Sequence, residues 1–277
     1  MLALTHGPSV GPGVFADAIR AAGHELVEQA VPERGAPTEP ADAVIVLGGS
    51  MHPDEDARHP WLAPELRFLE RELGRGTPLL GVCLGSQLLA RVAGARVYRA
   101  PEPEVGWLPV ERTEEGDADD VLGAVPAHFE AFQWHHYTHD LPAGAVELAR
   151  SAVCTQAFRL GSARGVQFHP EVRAEQVEAW LGEDPADVAD PDALRAATRQ
   201  RITAWNELGY LDSMLAGMPW LSGRGFGLAD VAYLPWVIRA RDMLGLELDR
   251  WPALEGWLGR SAERPSVAAE AELVAAL

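Results

Sequence analysis

The sequence has 277 residues, of which 47% are hydrophobic and 23% charged, so it can form one large or two smaller globular domains and argues against a disordered protein. Its formal net charge of −18 repels nucleic-acid phosphates and anionic lipid headgroups, and we expect neither as a partner. All 23 basic residues are arginine, which excludes a side-chain Schiff base and an ATP-binding P-loop lysine.

The first half of the chain alternates short apolar segments with helical patterns. Strands are predicted over residues 2–5, 43–47 and 79–82, and helices over residues 14–22, 61–73 and 84–92. Further strands are predicted over residues 129–133, 146–149, 156–160 and 166–168, followed by a helix over residues 174–181. This alternation predicts an α/β fold, with an open, mostly parallel sheet that has helices on both faces.

The pattern of alternating strands and helices ends after residue 181. Residues 182–192 are acidic and contain two prolines, which predicts a linker. Beyond it the strand pattern disappears, and helices are predicted over residues 193–215, 228–244, 252–264 and 267–277. We therefore predict an α/β domain over residues 1–181, a linker over residues 182–192 and a small all-α domain over residues 193–277.

Two observations indicate a cytoplasmic protein. No apolar stretch reaches the length of about 18 residues that a membrane span needs, and the first residues lack the pattern of a signal peptide. The two cysteines are too few for a disulfide framework. We interpret Cys154 as structural and Cys83, which lies in a glycine-rich turn, as reactive.

Cys83 occupies the turn between a predicted strand and a predicted helix, in the sequence Gly81-Val82-Cys83-Leu84-Gly85. Glycines on both sides permit the tight backbone of a nucleophile elbow, in which the nucleophile projects from the edge of the sheet. The N-terminus of the following helix favours the thiolate form of the sulfur. The spacing alone is also compatible with a buried cysteine that only packs in the core.

A second motif, Phe168-His169-Pro170-Glu171, follows another predicted strand. An imidazole that takes the thiol proton and a carboxylate that fixes its tautomer would complete a catalytic triad of Cys83, His169 and Glu171.

The third motif is a glycine pair, Gly48-Gly49, after the strand that ends at Leu47. We predict that the backbone N–H groups of Gly49 and Leu84 form the oxyanion hole of the site.

Taken together, these motifs resemble the class I glutamine amidotransferases, particularly free-standing members similar to the glutaminase domain of GMP synthase. Glu104-Val105-Gly106-Trp107 and Phe132-Gln133-Trp134-His135 match as well, so the resemblance spans residues 1–181. It implies that Cys83 attacks a γ-carboxamide, that a γ-glutamyl thioester forms with loss of ammonia or an amine, and that water releases glutamate. Gln87, Trp134 and His135 are the expected substrate-binding residues.

The sequence departs from the family at one place beside the expected substrate pocket. Where free-standing relatives commonly have Trp-His-Gly-Asp, this chain has Trp134-His135-His136-Tyr137. The bulky pair weakens the expectation that glutamine itself is the substrate. Loop histidines without adjoining Cys, Asp or Glu ligands are not typical of a metal site, and we expect neither a metal nor an organic cofactor.

The last third resembles the helical C-terminal domain of glutathione S-transferases, through residues 218–232, 251–258 and 264–267. That family has Ser or Thr as a helix cap three residues before an Asp; here Gly227 takes the place of the capping residue and Asp230 remains. No glutathione-binding half is present, so transferase activity does not follow. Aromatic residues at helical spacing predict core positions: Trp220, Phe226, Tyr233, Trp236, Trp251 and Trp257.

The sequence therefore predicts an enzyme that cleaves glutamine or another γ-glutamyl amide. One alternative is a γ-glutamyl peptidase that acts on peptides or glutathione conjugates. Another is a non-catalytic scaffold whose helical domain binds a partner. The helical domain could serve as a homodimer interface, dock an ammonia-accepting synthetase, or line a cleft for a conjugate.

Overall fold

The computed structural model describes residues 1–244, 248, 249, 251–265 and 267. It separates into two compact units, Met1–Thr198 and Arg199–Leu277. Apart from Val267, the helix predicted over residues 267–277 lies outside the described residues. Residues 182–192 fall within the first unit, and the predicted domain boundaries at 181 and 193 stay a prediction.

One nine-stranded sheet runs through the described part of the first unit, in the order β2-β1-β3-β4-β9-β8-β7-β5-β6. The strands from β2 to β9 in this order are parallel, and those from β9 to β6 pair antiparallel. The strands are β1 Leu2–Thr5, β2 Val27–Ala30, β3 Val44–Val46, β4 Leu79–Val82, β5 Val97–Arg112, β6 His128–His139, β7 Val146–Arg150, β8 Thr155–Leu160 and β9 Ala163–Val166.

Helices cover the sheet and continue into the second unit. They are α1 Val14–Ala21, α2 Val31–Arg34, α3 Leu62–Arg75, α4 Leu84–Val92, α5 Glu114–Asp117, α6 Ala174–Glu183, α7 Pro191–Leu215, α8 Leu228–Leu244 and α9 Pro252–Ala262. Short 3-10 helices lie at Leu122–Ala124 and Pro185–Asp187. No helix among the described residues is long and apolar enough to cross a membrane.

Alternate residues of the parallel strands enter two different hydrophobic clusters, which confirms a sheet with helices on both faces. Ile45 of β3 packs in the cluster that includes Ile19 of α1. Its neighbour Val46 packs in the cluster that includes Phe68 of α3 and Leu88 of α4. The central strands therefore have apolar residues on both faces. Polar groups of a site can lie at the carboxyl ends of these strands.

The fold class is confirmed, and two strands were missed by the sequence analysis. The edge strand β2 is largely exposed and has little apolar alternation. Three prolines interrupt the pattern of β5, and a register irregularity lies between Arg99 and Glu104. The strand predicted over residues 166–168 lies instead at Ala163–Val166. Its first three residues have a weak apolar pattern, so the sequence analysis missed the start of this strand.

In the second unit, the side chain of Asp230 organises the start of α8. Its carboxylate accepts hydrogen bonds from the backbone N–H groups of Leu221 (2.8 Å), Ser222 and Gly227 (2.9 Å), and from the indole N–H of Trp257 (2.7 Å). Ser222 also supplies the cap that Gly227 cannot, because its Oγ accepts the backbone N–H of Ala229.

A Cβ at Gly227 would lie 2.7 Å from the Oγ of Ser222, so this hydroxyl occupies the space that a capping side chain would need. Of the aromatic residues predicted to form the core, Trp251 and Trp257 are buried, whereas Trp220, Phe226 and Trp236 are only partly buried. Tyr233 is 41% exposed, so its assignment to the core was wrong.

We expect Asp230→Ala to destabilise the second unit by about 3 kcal/mol, because four donors, two of them in buried residues, lose a charged acceptor. Asp230→Asn keeps one acceptor oxygen and should lose about half as much. Calorimetry of the full chain measures the effect. Equal thermal transitions in Asp230→Ala and the unchanged protein would contradict this role.

Candidate active site

Cys83 lies between β4 and α4 in a strained backbone turn. With φ at +52°, it is the one non-glycine residue with positive φ among the described residues. Its N–H donates to the carbonyl of Val166 at the end of β9 (2.8 Å). A Cβ at Gly85 would overlap the carbonyl of Val46, and one at Gly81 would overlap the backbone of Gly85. Only glycines therefore permit this turn, as the nucleophile elbow requires.

His169 lies after β9, and Glu171 holds its ring. The Nδ1 of His169 is 2.8 Å from the Oε1 of Glu171, a carboxylate without exposed surface. The ring of Trp180 covers the imidazole, with 4.8 Å between the ring centroids. Because an ionised carboxylate only accepts, Nδ1 donates and Nε2 is the nitrogen left to exchange a proton.

The structure brings His169 next to Cys83. A Cβ placed on Gly48 would lie 3.1 Å from the Cε1 of His169 and 3.7 Å from the Cβ of Cys83, so both flank this glycine. Burial acts to lower the pKa of His169, but the charges of Glu171 and Cys83 and hydrogen bonds to both raise that pKa to about 10. This environment favours the imidazolium form of His169.

The residues of the predicted oxyanion hole, Gly49 and Leu84, lie next to each other near Cys83. Gly49 lines the same cavity as Cys83, and Leu84 is the first residue of α4. The N–H of a first helical residue has no partner within its own helix, so it is available to a ligand. A Cβ at Gly49 would lie 2.9 Å from the Cδ2 of Leu84, so the two residues are adjacent.

A cavity of about 350 Å³ opens over Cys83. Its lining includes the predicted residues Gln87, Trp134 and His135. The side-chain amide of Gln87 donates to the carbonyl of Tyr137 (2.7 Å) and to the Oε1 of Gln167 (3.1 Å). The predicted site residues other than Leu84 and Glu171 thus line one cavity. Leu84 directly follows Cys83, and Glu171 contacts His169.

The two residues that depart from the family pattern also line this cavity. Tyr137 stacks on His52 with 3.9 Å between ring centroids. The Nε2 of His136 is 3.3 Å from an oxygen of Asp187, and the indole N–H of Trp134 donates to the other oxygen of Asp187 (3.0 Å). Both bulky side chains are therefore held in place by neighbours, and they reduce the space that Gly-Asp would leave.

Several residues of the cavity were missed by the sequence analysis. Asp187 belongs to the segment predicted as a linker, in which the 3-10 helix Pro185–Asp187 contributes to the cavity wall. Glu183 and Asp184 at the end of α6 also line the cavity, as does Arg99 of the unpredicted strand β5. Arg99 forms no ion pair with any residue that the structure describes. No local sequence pattern marks these residues, since long-range strand and helix packing brings them here.

His135 also belongs to a buried polar cluster with Glu104 and Cys154, whose candidate ligand atoms lie within 4.8 Å of one another. Hydrogen bonds account for this cluster, because the Oε2 of Glu104 accepts from the side chains of Ser151 (3.1 Å), Cys154 (3.4 Å) and Gln156 (2.8 Å). Burial raises the pKa of the Cys154 thiol to about 12, which disfavours the thiolate that a metal would need.

Two family models match the chain. The family model described as glutamine amidotransferase class-I matches residues 17–181. A second model, glutathione S-transferase C-terminal domain, matches residues 192–260.

Two curated relatives illustrate this similarity. The chain is 32% identical over 136 residues to a glutamine-hydrolyzing GMP synthase subunit of Ignicoccus hospitalis, covering 48% of this chain and 68% of that protein. It is 27% identical over 159 residues to a gamma-glutamyl-L-1-hydroxyisopropylamide hydrolase of a Pseudomonas species. That match covers 54% of this chain and about half, 53%, of the relative.

A solved structure, a glutamine amidotransferase from Thermotoga maritima, superimposes with a TM-score of 0.67. It is 32% identical, and the match covers 72% of this chain and 89% of that one. The family match extends over more than half of the chain, and the fold agrees with it. This chain belongs to the class-I glutamine amidotransferase family.

Proposed function

We propose that this protein hydrolyses a γ-glutamyl amide through a thioester on Cys83, converting glutamine to glutamate and ammonia in the simplest case. The observation that carries the proposal is the combination of a strained cysteine at a helix N-terminus with a buried imidazole that lines the same cavity and contacts a buried carboxylate. The match to the class-I amidotransferase family supports it.

In the proposed reaction, the sulfur of Cys83 attacks the amide carbon while His169 holds the thiol proton. The N–H groups of Gly49 and Leu84 stabilise the oxyanion. The carbon–nitrogen bond breaks as His169 gives the proton to the departing nitrogen. Water then loses a proton to His169 and adds to the thioester, and the carbon–sulfur bond breaks to release glutamate and the free thiol.

The cavity also suits the amino-acid end of a γ-glutamyl group, which carries one positive and one negative charge. Arg99 offers a cation for the carboxylate, and the acidic residues Glu183 and Asp184 offer partners for the ammonium. Gln87 adds an amide to the wall, although the amide nitrogen already donates to two protein groups.

A second candidate function is the hydrolysis of larger γ-glutamyl amides, peptides or conjugates. The observation that favours it is the replacement of the family's Gly-Asp by His136 and Tyr137 in the cavity wall. One relative, the Pseudomonas protein, is named as a hydrolase of a γ-glutamyl alkylamide rather than of glutamine. In both candidates the same triad does the chemistry, and only the departing amine differs.

For the first candidate function, hydrolysis of glutamine, we further propose that a partner protein accepts the ammonia. The relative from Ignicoccus is named as a glutamine-hydrolyzing subunit of a synthase, and ammonia released at Cys83 would serve a synthetase chain in the same way. For the helical domain, proposed over residues 193–277 after a linker at 182–192, we propose that it docks such a partner or forms a homodimer. Free Cys83 and Cys154 fit a reducing compartment such as the cytoplasm.

Glutamate release from glutamine, γ-glutamyl dipeptides and glutathione conjugates, measured in parallel, tests the proposal. We expect turnover of at least one substrate, and preference for dipeptides or conjugates would select the second candidate. Replacing His136-Tyr137 by Gly-Asp should shift kcat/KM towards glutamine by about tenfold, because the pocket regains space and a carboxylate. No release from any substrate, even with a synthetase present, would favour the scaffold.

A further inference from the structure

A buried histidine lies behind the glycine pair of the proposed oxyanion hole and takes no part in the reaction steps above. His6 directly follows β1, and Glu65 lies in the first turn of α3; neither side chain has exposed surface. The Nε2 of His6 is 2.9 Å from the Oε1 of Glu65. Its Nδ1 is 2.8 Å from the carbonyl oxygen of Gly48.

The two partners of His6 determine its protonation. The backbone carbonyl of Gly48 only accepts hydrogen bonds, so the Nδ1 of His6 must donate. With Glu65 ionised, the Nε2 donates as well and the ring is an imidazolium. Burial acts to lower the pKa of His6, but the charge of Glu65 and the hydrogen bonds to Glu65 and Gly48 raise that pKa above its usual value. The carboxylate compensates the buried positive charge.

The bond to Gly48 has a consequence for the next N–H group. In a trans peptide the C=O and N–H groups point in opposite directions, and no peptide bond among the described residues is cis. Fixing the oxygen of Gly48 on the side of His6 therefore directs the N–H of Gly49 away from His6. Gly49 lines the cavity over Cys83, whereas His6 does not.

This peptide needs such a restraint. Two consecutive glycines have more backbone freedom than any other pair, so the Gly48–Gly49 peptide could rotate and turn its N–H away from the substrate. An oxyanion hole contributes to catalysis only when its donors are oriented before the reaction. A donor from a charged ring also polarises the peptide, which strengthens the N–H of Gly49 as a donor.

We infer that His6, held by Glu65, is a positioning residue that fixes the Gly48–Gly49 peptide so that the N–H of Gly49 stabilises the oxyanion. The inference rests on the proposed hydrolysis through Cys83. His6 itself touches neither the nucleophile nor the cavity, and it acts through the backbone of Gly48.

A pair of substitutions separates this role from mere packing. His6→Asn places an amide nitrogen near the position of Nδ1 and keeps a donor for Gly48, whereas His6→Gln places its nitrogen near Nε2 and loses that donor. We expect His6→Gln to lower kcat by about 10- to 100-fold with little change in KM, and His6→Asn to recover most of the loss.

Two chemical probes of Cys83 complete the test. Alkylation by iodoacetamide creates no oxyanion, so its rate should be the same in both variants and in the unchanged protein. An aldehyde analogue of the γ-glutamyl group forms a tetrahedral adduct with an oxygen in the hole, so it should bind His6→Gln about tenfold or more weakly. Equal kcat in His6→Gln and His6→Asn, or equal aldehyde affinity, would overturn the inference.

If His6→Gln does not fold, the double variant His6→Leu/Glu65→Leu replaces it, because it removes the donor without leaving a buried charge. It should fold, react with iodoacetamide and show the same loss of kcat; full turnover would overturn the inference. Absence of turnover by the unchanged protein with every γ-glutamyl substrate would instead refute the proposed function. The failure of the inference about His6 and the failure of the proposed function are therefore distinguishable.

Discussion

Cys83→Ala is expected to abolish glutamate release, lowering kcat by at least about 10⁴-fold, because no other group can form the thioester. Cys83→Ser should be nearly as inactive, since a serine hydroxyl gives up its proton less readily than a thiol and is a poorer nucleophile. The measurement is a coupled glutamate assay with the preferred γ-glutamyl substrate. Mass spectrometry of the quenched enzyme should also find a γ-glutamyl adduct on Cys83.

Cys154→Ser is the matched control, because it removes the other cysteine of the chain and keeps a donor for Glu104. Its activity should stay within about twofold of the unchanged protein. Iodoacetamide should inactivate the unchanged protein and Cys154→Ser alike, since burial keeps the Cys154 thiol protonated. Alkylated protein that keeps full turnover would refute the role of Cys83.

The elements around Cys83 could be predicted because their sequence signals are local. Residues 79–82 and 84–92 were predicted with the bounds that the structure gives to β4 and α4. The positive φ of Cys83 agrees with the turn that the flanking glycines indicate. Sterics decide this turn within a few residues, since any Cβ at Gly85 would overlap the carbonyl of Val46.

The rest of the cavity depends on distant contacts that no local pattern encodes. Arg99 lines the cavity from β5, a strand that its prolines make hard to predict from the sequence. Asp187 lines it from a segment whose composition predicts a linker. The same holds for His6, which is 42 positions from Gly48 and 59 from Glu65. Motifs thus predict the proposed reacting groups, whereas the residues proposed to select the substrate and to orient the backbone are recognised only in the fold.

Glu171→Gln has the second largest expected effect, a loss of about 100- to 10⁴-fold in kcat. Glutamine fills the same buried space, and its Oε1 can still accept the Nδ1–H of His169. What disappears is the negative charge, which is the largest of the effects that raise the pKa of His169 to about 10. The imidazolium of His169 then loses its support, and the orientation of the ring becomes ambiguous because the glutamine amide can also donate.

The pH dependence distinguishes this loss of charge from a loss of structure. A group whose pKa is raised by folding keeps its proton below that pKa, so the imidazolium of the unchanged protein should be lost only as pH rises through about 10. In Glu171→Gln, the alkaline limb of kcat/KM should move to lower pH, because the free enzyme holds this proton less tightly. Glu175→Gln, the same substitution at a residue of α6 outside the cavity, should leave the limb in place. An unmoved alkaline limb in Glu171→Gln would show that Glu171 does not support the charge of His169.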